Sequence, residues 1–212
     1  MRTTFLVVIS ILSILLMSCD NNFDTITQPG DSVGSTLNKI TDFDYYLLPL
    51  PEKSHLFEDS LYSITKTIDG IAGGSISYSN YFISVDGDSV SFEFDIDFPK
   101  NAFSGTEEIT VTLDDEYAAL KFYPHLVFNA DHWVKLTQKF RGLNLDGMSN
   151  QTIDFVFIGD DGNIELVAKN GVQVIIPRGL VRVNNAILRH FSRYGWIRKP
   201  TAPVIYDMHN CD

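Results

Sequence analysis

Apolar and polar residues alternate with a period of two along much of this chain. The pattern is cleanest from Val90 to Phe98, where Val90, Phe92, Phe94, Ile96 and Phe98 are separated by Ser91, Glu93, Asp95 and Asp97. That spacing puts the five apolar side chains on one face of a strand and the polar ones on the other. Pro99 cannot donate to a ladder and ends the strand. Ala102-Phe103-Ser104-Gly105 turns the chain, and Ile109, Val111 and Leu113 then alternate with Thr110 and Thr112 in a second strand. Asp114-Asp115-Glu116 interrupts the pattern before Leu120-Lys121-Phe122 resumes it.

Further strands follow from the same reasoning. The Gly70-Ile71-Ala72-Gly73-Gly74 stretch predicts a tight bend, leading into a strand over Ile76–Val85 that Asp86-Gly87-Asp88 folds back. Trp133–Phe140 is the next, with Val134 and Leu136 facing one way and Lys135, Thr137 and Lys139 the other. Ile153–Phe157 continues the series. Gly159-Asp160-Asp161-Gly162 turns into Ile164–Ala168, Asn170-Gly171 turns into Val172–Ile176, and a last strand spans about Ala186 to Ile197. No stretch keeps helical periodicity over three turns. Short strands with frequent turn signals predict an all-β sandwich or barrel.

Composition sharpens this picture in two places. Apolar content of 44% with 12% aromatics supplies a core, so wholesale disorder is excluded. The formal net charge is −11, and the basic residues gather only at Arg189, Arg193, Arg198 and Lys199. Phosphate binding needs clustered cations, so nucleic acid is not the expected partner.

The amino terminus has a different pattern. Arg2 precedes a nearly unbroken apolar run from Phe5 to Met17, shorter than the roughly 20 residues a spanning helix requires. Leu16-Met17-Ser18-Cys19 follows, then Asp20-Asn21-Asn22. This resembles a bacterial lipoprotein signal. The resemblance implies cleavage before Cys19, acylation of its sulfur and new amine, and attachment to a membrane of the cell envelope, outside the cytoplasm. Two or more acyl chains give stable anchoring. A plain secretory signal with an incidental cysteine is the simpler alternative. Asp20 resembles an inner-membrane retention signal of some enteric bacteria, which leaves the final leaflet open. With Cys19 acylated, Cys211 has no intramolecular partner, and no internal disulfide is expected. From Asp20 to about Ile40 the residues are mostly polar and read as a tether. The more apolar Tyr45–Pro51 segment either packs on the domain or hangs free. The expected organisation is a signal over 1–18, a tether and extended segment over 19–63, a β-sandwich over 64–197 and a tail over 198–212.

At Phe98-Pro99-Lys100-Asn101-Ala102-Phe103-Ser104-Gly105-Thr106-Glu107-Glu108-Ile109-Thr110-Val111 the chain resembles the ZU-five-like domains of ankyrins, netrin receptors and many bacterial lipoproteins. Gly73-Gly74, Phe122-Tyr123-Pro124-His125 and His190-Phe191-Ser192-Arg193-Tyr194-Gly195 fit the family in the same order. Leu126 stands where a glycine is common after the Pro-His pair. The resemblance implies a two-sheet antiparallel β-sandwich and a binding or scaffolding role toward a protein or envelope polymer, with no cofactor and no metabolic reaction.

In some animal members of that family a His-Phe-Ser tripeptide cuts its own backbone before the serine. Here alternation predicts His190 and Ser192 on one strand face, with Phe191 preceding the cut. An imidazole within hydrogen-bond reach activates a serine, and backbone strain would help. The simpler alternative is that Phe191 fills the core while its neighbours make ordinary hydrogen bonds. Conventional hydrolase motifs are lacking, since no G-x-S-x-G or H-E-x-x-H occurs. His125 and His132 flank predicted strand ends, where hydrogen-bonded histidines are usual. Asp86-Gly87-Asp88, Asp114-Asp115-Glu116 and Asp160-Asp161-Gly162-Asn163 offer oxygens of the kind calcium takes, but turns use the same residues. Trp133, Tyr194, Trp196, Tyr45 and Tyr46 would form a carbohydrate-stacking platform only if they gathered on an exposed patch; core placement is the alternative.

Overall fold

A computed structural model describes residues 46–57 and 61–199. Cys19, Cys211, Tyr45, the signal, most of the tether and nearly all of the tail lie outside the described residues. The strands are β1 (Tyr46–Leu47), β2 (Ser63–Asp69), β3 (Gly74–Ile83), β4 (Ser89–Phe98), β5 (Thr106–Leu113), β6 (Ala119–Tyr123), β7 (Val134–Arg141), β8 (Ile153–Ile158), β9 (Ile164–Leu166), β10 (Gly171–Ile175), β11 (Leu180–Leu188) and β12 (Arg193–Arg198). A single 3-10 turn, Ile176–Arg178, joins β10 to β11.

They form two antiparallel sheets packed face to face. One has seven strands in the order β2-β5-β6-β12-β8-β9, with β1 alongside β12; the other has five, β10-β11-β7-β4-β3. The alternation of β4 becomes the floor of the core: Phe92, Phe94 and Ile96 are 2%, 2% and 1% exposed, while Glu93, Asp95 and Asp97 face solvent. Ile109, Val111 and Leu113 of β5 close on them from the opposite sheet, with Phe155 of β8 and Trp196 of β12. Apolar faces of two sheets removed from water in this way supply the main driving force for the fold. One polar link crosses this core. The Trp196 indole N–H donates to Gln138 Oε1 at 3.2 Å, tying β12 to β7.

Two glycines are dictated by packing. Gly73 has φ +78°, and a Cβ there would lie 2.5 Å from the Phe98 carbonyl oxygen. At Gly195 a Cβ would meet the Ala119 Cβ at 2.5 Å, so β12 and β6 approach closely only because one side chain is missing.

The structure differs from the sequence reading in two places and decides a third that the sequence left open. The strand expected over Ala186–Ile197 is two strands in opposite sheets, β11 and β12, with a crossover at Arg189–Ser192. Phe191 is buried within the crossover, so the apolar pattern runs on without a break where the chain changes layer. A strand, β2, precedes the Gly70–Gly74 bend; Lys66 stands in the row of Ile64 and Ile68, and the lysine hides the alternation. Finally, the segment after Tyr45 packs on the domain. Leu48 and Leu50 are buried, Leu48 N–H donates to the Trp196 carbonyl at 2.9 Å, and Ala118 N–H donates to the Leu48 carbonyl at 2.8 Å.

Candidate functional site

The crossover at Arg189–Ser192 is laced to the segment before β7. Phe128 N–H donates to the Arg189 carbonyl at 2.9 Å, Phe191 N–H to the Leu126 carbonyl at 2.7 Å, and Phe122 N–H to the Ser192 carbonyl at 2.9 Å. Val127 and His190 are bridged between them. The Tyr194 hydroxyl donates to the His190 carbonyl at 2.7 Å. Phe191 anchors this lattice in an aromatic cluster, with ring centroids 4.9 Å from Phe122, 4.9 Å from Phe128 and 5.9 Å from Phe98. Such contacts add to the burial energy of the ring.

With Phe191 pinned inward, its neighbours border different hollows. Ser192 lines a groove of about 700 Å³ shared with Lys121, Tyr123, His125, Ile158 and Arg193. His190 lines a cavity of about 100 Å³ with Phe157, Glu165, Arg189 and Tyr194. No hydrogen bond joins the His190 and Ser192 side chains, so the base and nucleophile of the self-cleaving alternative are not coupled. His125, not His190, shares the hollow with the serine. The His125 and His190 rings stand 5.9 Å apart, centroid to centroid, with planes inclined by 36°.

His190 is a constrained imidazole. Phe157 meets it edge to face at 4.6 Å, and its Nδ1 is buried with no hydrogen-bond partner. Burial holds the ring below the usual histidine pKa, the neighbouring His125 adds to this, and the Glu165 charge and the Phe191 backbone offset part of it. Burial likewise raises Tyr194 above the ordinary phenol range.

The groove wall is held by Asp114, whose carboxylate accepts from the backbone N–H groups of Glu116 and Tyr117 at 3.0 and 3.1 Å. It also pairs with Lys121 Nζ at 3.0 Å and Arg193 Nη2 at 2.9 Å. Burial alone would raise its pKa, but these donors hold it below the ordinary aspartate value. The guanidinium of Arg193 also lies over the Tyr117 ring, 5.3 Å from its centroid. Beside the groove, on the outer face of the seven-stranded sheet, lies a second apolar cluster of Ala119, Val156, Ile158 and Ile197, with Leu47, Tyr117 and Ile164 packed on it. Leu47, Ile158 and Ile164 reach into the groove and line it.

The remaining sequence-level sites take structural places. Asp114 is committed to Lys121 and Arg193. Asp161 caps its own turn by accepting from the Asn163 N–H at 3.0 Å, and Asp88 closes the β3–β4 hairpin through its carbonyl, which accepts from Ser84 N–H at 2.9 Å. Among the described residues no group of three or more His, Cys, Asp or Glu converges as a metal set would. Tyr194 and Trp196 are 2% and 0% exposed, so the stacking platform does not assemble. Trp133 is half-buried under the Arg189 guanidinium at 5.6 Å, and Tyr46 alone stands open. Sequence reasoning placed His125 at a strand end and missed its partner, because the pairing is made by the crossover and leaves no local signal.

No protein-family model matches the chain, and no characterised protein or solved structure is significantly similar to it.

Proposed function

We propose that this chain is a lipid-anchored protein of the bacterial cell envelope, held outside the cytoplasm through Cys19. Its ZU-five-like sandwich binds a protein or surface polymer and catalyses no reaction. The groove of about 700 Å³ carries the reading: Leu47, Ile158 and Ile164 give it an apolar lining, and Lys121, Arg193, His125 and Tyr123 give it polar and cationic walls. Apolar contact area bordered by a few placed polar groups suits recognition.

A photo-crosslinking residue in place of Tyr123, which is 71% exposed, tests the groove in the anchored protein in cells. Capture of one discrete species, lost when Lys121→Glu is added at the exposed groove wall, supports the reading; identical capture from the five-stranded sheet's outer face at Ser77 counts against it. Radiolabelled palmitate should enter the wild-type chain and not Cys19→Ser.

The self-cleaving alternative has less behind it. It needs His190 to reach the Ser192 hydroxyl, and the two side chains border separate hollows. A fragment spanning Ser192–Asp212 on intact-mass measurement, abolished by Ser192→Ala, would restore it. The carbohydrate-binding alternative loses Tyr194 and Trp196 to the core.

A further inference from the structure

We propose that His125 and His190 together hold a divalent transition-metal ion, in a two-imidazole site between their rings. Three observations converge on this. The first is separation. A metal about 2.0–2.1 Å from a nitrogen of each of two imidazoles brings their ring centres to about 5–6 Å, and these centroids are 5.9 Å apart. The two rings are not hydrogen-bonded to each other.

The second is rigidity. His190 is held at its backbone by the Tyr194 hydroxyl and the bridge to Val127, and at its ring by Phe157. His125 is exposed and adjusts to a ligand at little cost. One preset ligand and one adaptable ligand suit an ion that arrives from solvent.

The third is the orphaned nitrogen. An unsatisfied buried polar atom calls for a physical reason. Metal-bound histidines commonly give their second ring N–H to a carboxylate or a water. His190 Nδ1 is buried beside a cavity of about 100 Å³ that Glu165 also lines, roomy enough for a bridging water. That assignment leaves Nε2 of His190 for the ion, a nitrogen of His125 opposite it, and water in the remaining positions. An imidazole pair with no thiolate selects Cu(II), Ni(II) or Zn(II) over calcium or magnesium, with Cu(II) bound most tightly.

Titrating the purified chain with Cu(II), after its thiols are blocked with iodoacetamide, tests the site. One equivalent should bind, with electron paramagnetic resonance showing coupling to two imidazole nitrogens. His125→Ala, a change at an exposed side chain, should weaken binding by about tenfold or more and remove the two-nitrogen pattern, while His132→Ala should leave both unchanged. His190→Gln should repeat the loss in folded protein. Binding that His125→Ala does not weaken, an equal loss in His132→Ala, or no binding at micromolar Cu(II) would each overturn the proposal. Calcium in place of copper should give no heat.

Discussion

The outer faces of the two sheets differ in kind. On the five-stranded sheet, β4 presents Glu93, Asp95 and Asp97, while β7 presents Lys139, Thr137 and Lys135 directly opposite. Ser79, Ser77 and Ser75 of β3 flank the acidic row on its other side. Lys139 pairs with Glu93, and Asp95, Asp97 and Lys135 of the same face are exposed to solvent. On the seven-stranded sheet, β8 and β12 bury residues on both faces: Phe155 and Trp196 point into the core while Val156 and Ile197 are buried outside it. One outer face thus carries an apolar cluster of Ala119, Val156, Ile158 and Ile197, packed under Leu47, Tyr117 and Ile164 beside the groove, whereas the other is charged and solvated. The lesson is that the sandwich is polarised, and the proposed function puts its recognition surface on the groove side.

Substitutions can break or sharpen that contrast. Val156→Asp should be the most damaging, costing about 3 kcal/mol or more by burying a carboxylate with no partner; chemical denaturation with urea measures it, and a cost below about 0.5 kcal/mol would mean that the outer cluster is not a packed layer. Asp114→Asn comes next, at about 1–3 kcal/mol, because Lys121 and Arg193 lose their shared anion. Asp114 is held below the ordinary value of 3.8 in the fold, so its contribution is present above that pH and fades as pH falls beneath it. The variant should therefore match wild type in acid and differ most near neutrality.

His190 acts in the opposite chemical sense but in the same direction on the pH axis. Its pKa is lowered from 6.5, so the unfolded chain binds the extra proton first, and stability declines as pH drops below 6.5. In metal-free protein, His190→Gln should flatten the stability profile between about pH 7 and pH 5; an unchanged slope would show that the ring is not the group responsible. Least affected should be Lys139→Ala on the charged face, at about 0–1 kcal/mol, shrinking further in high salt.

Much of the architecture was legible from residue order. The alternation of Val90–Phe98 and Ile109–Leu113 reports burial on one side, and the structure puts those residues in the core. Even the second apolar layer left a trace: Phe155-Val156-Phe157-Ile158 has no polar interruption, as expected of a strand covered on both sides. What alternation does not encode is which sheet a segment joins. Leu188 and Phe191 are both buried, so the crossover between them reads as continuous strand although the ladder partners change. For the same reason alternation put His190 and Ser192 on one strand face, while the approach of His125 depended on a contact between distant parts of the chain. Lys66 shows the reverse case. A cation in the row of Ile64 and Ile68 erased the signature of β2; Lys66 is exposed there, and its Nζ donates to the Ser75 carbonyl at 2.7 Å.

The indole that donates across the core to Gln138 gives the molecule an internal optical gauge. The chain has 2 tryptophans; Trp196 is shielded from solvent between the layers, while Trp133 sits half-covered near the crossover. Emission from Trp196 should be blue-shifted while the sheets stay together and move to longer wavelength as they part. With Trp133→Phe as background, opening of the sandwich can be timed without any attached dye.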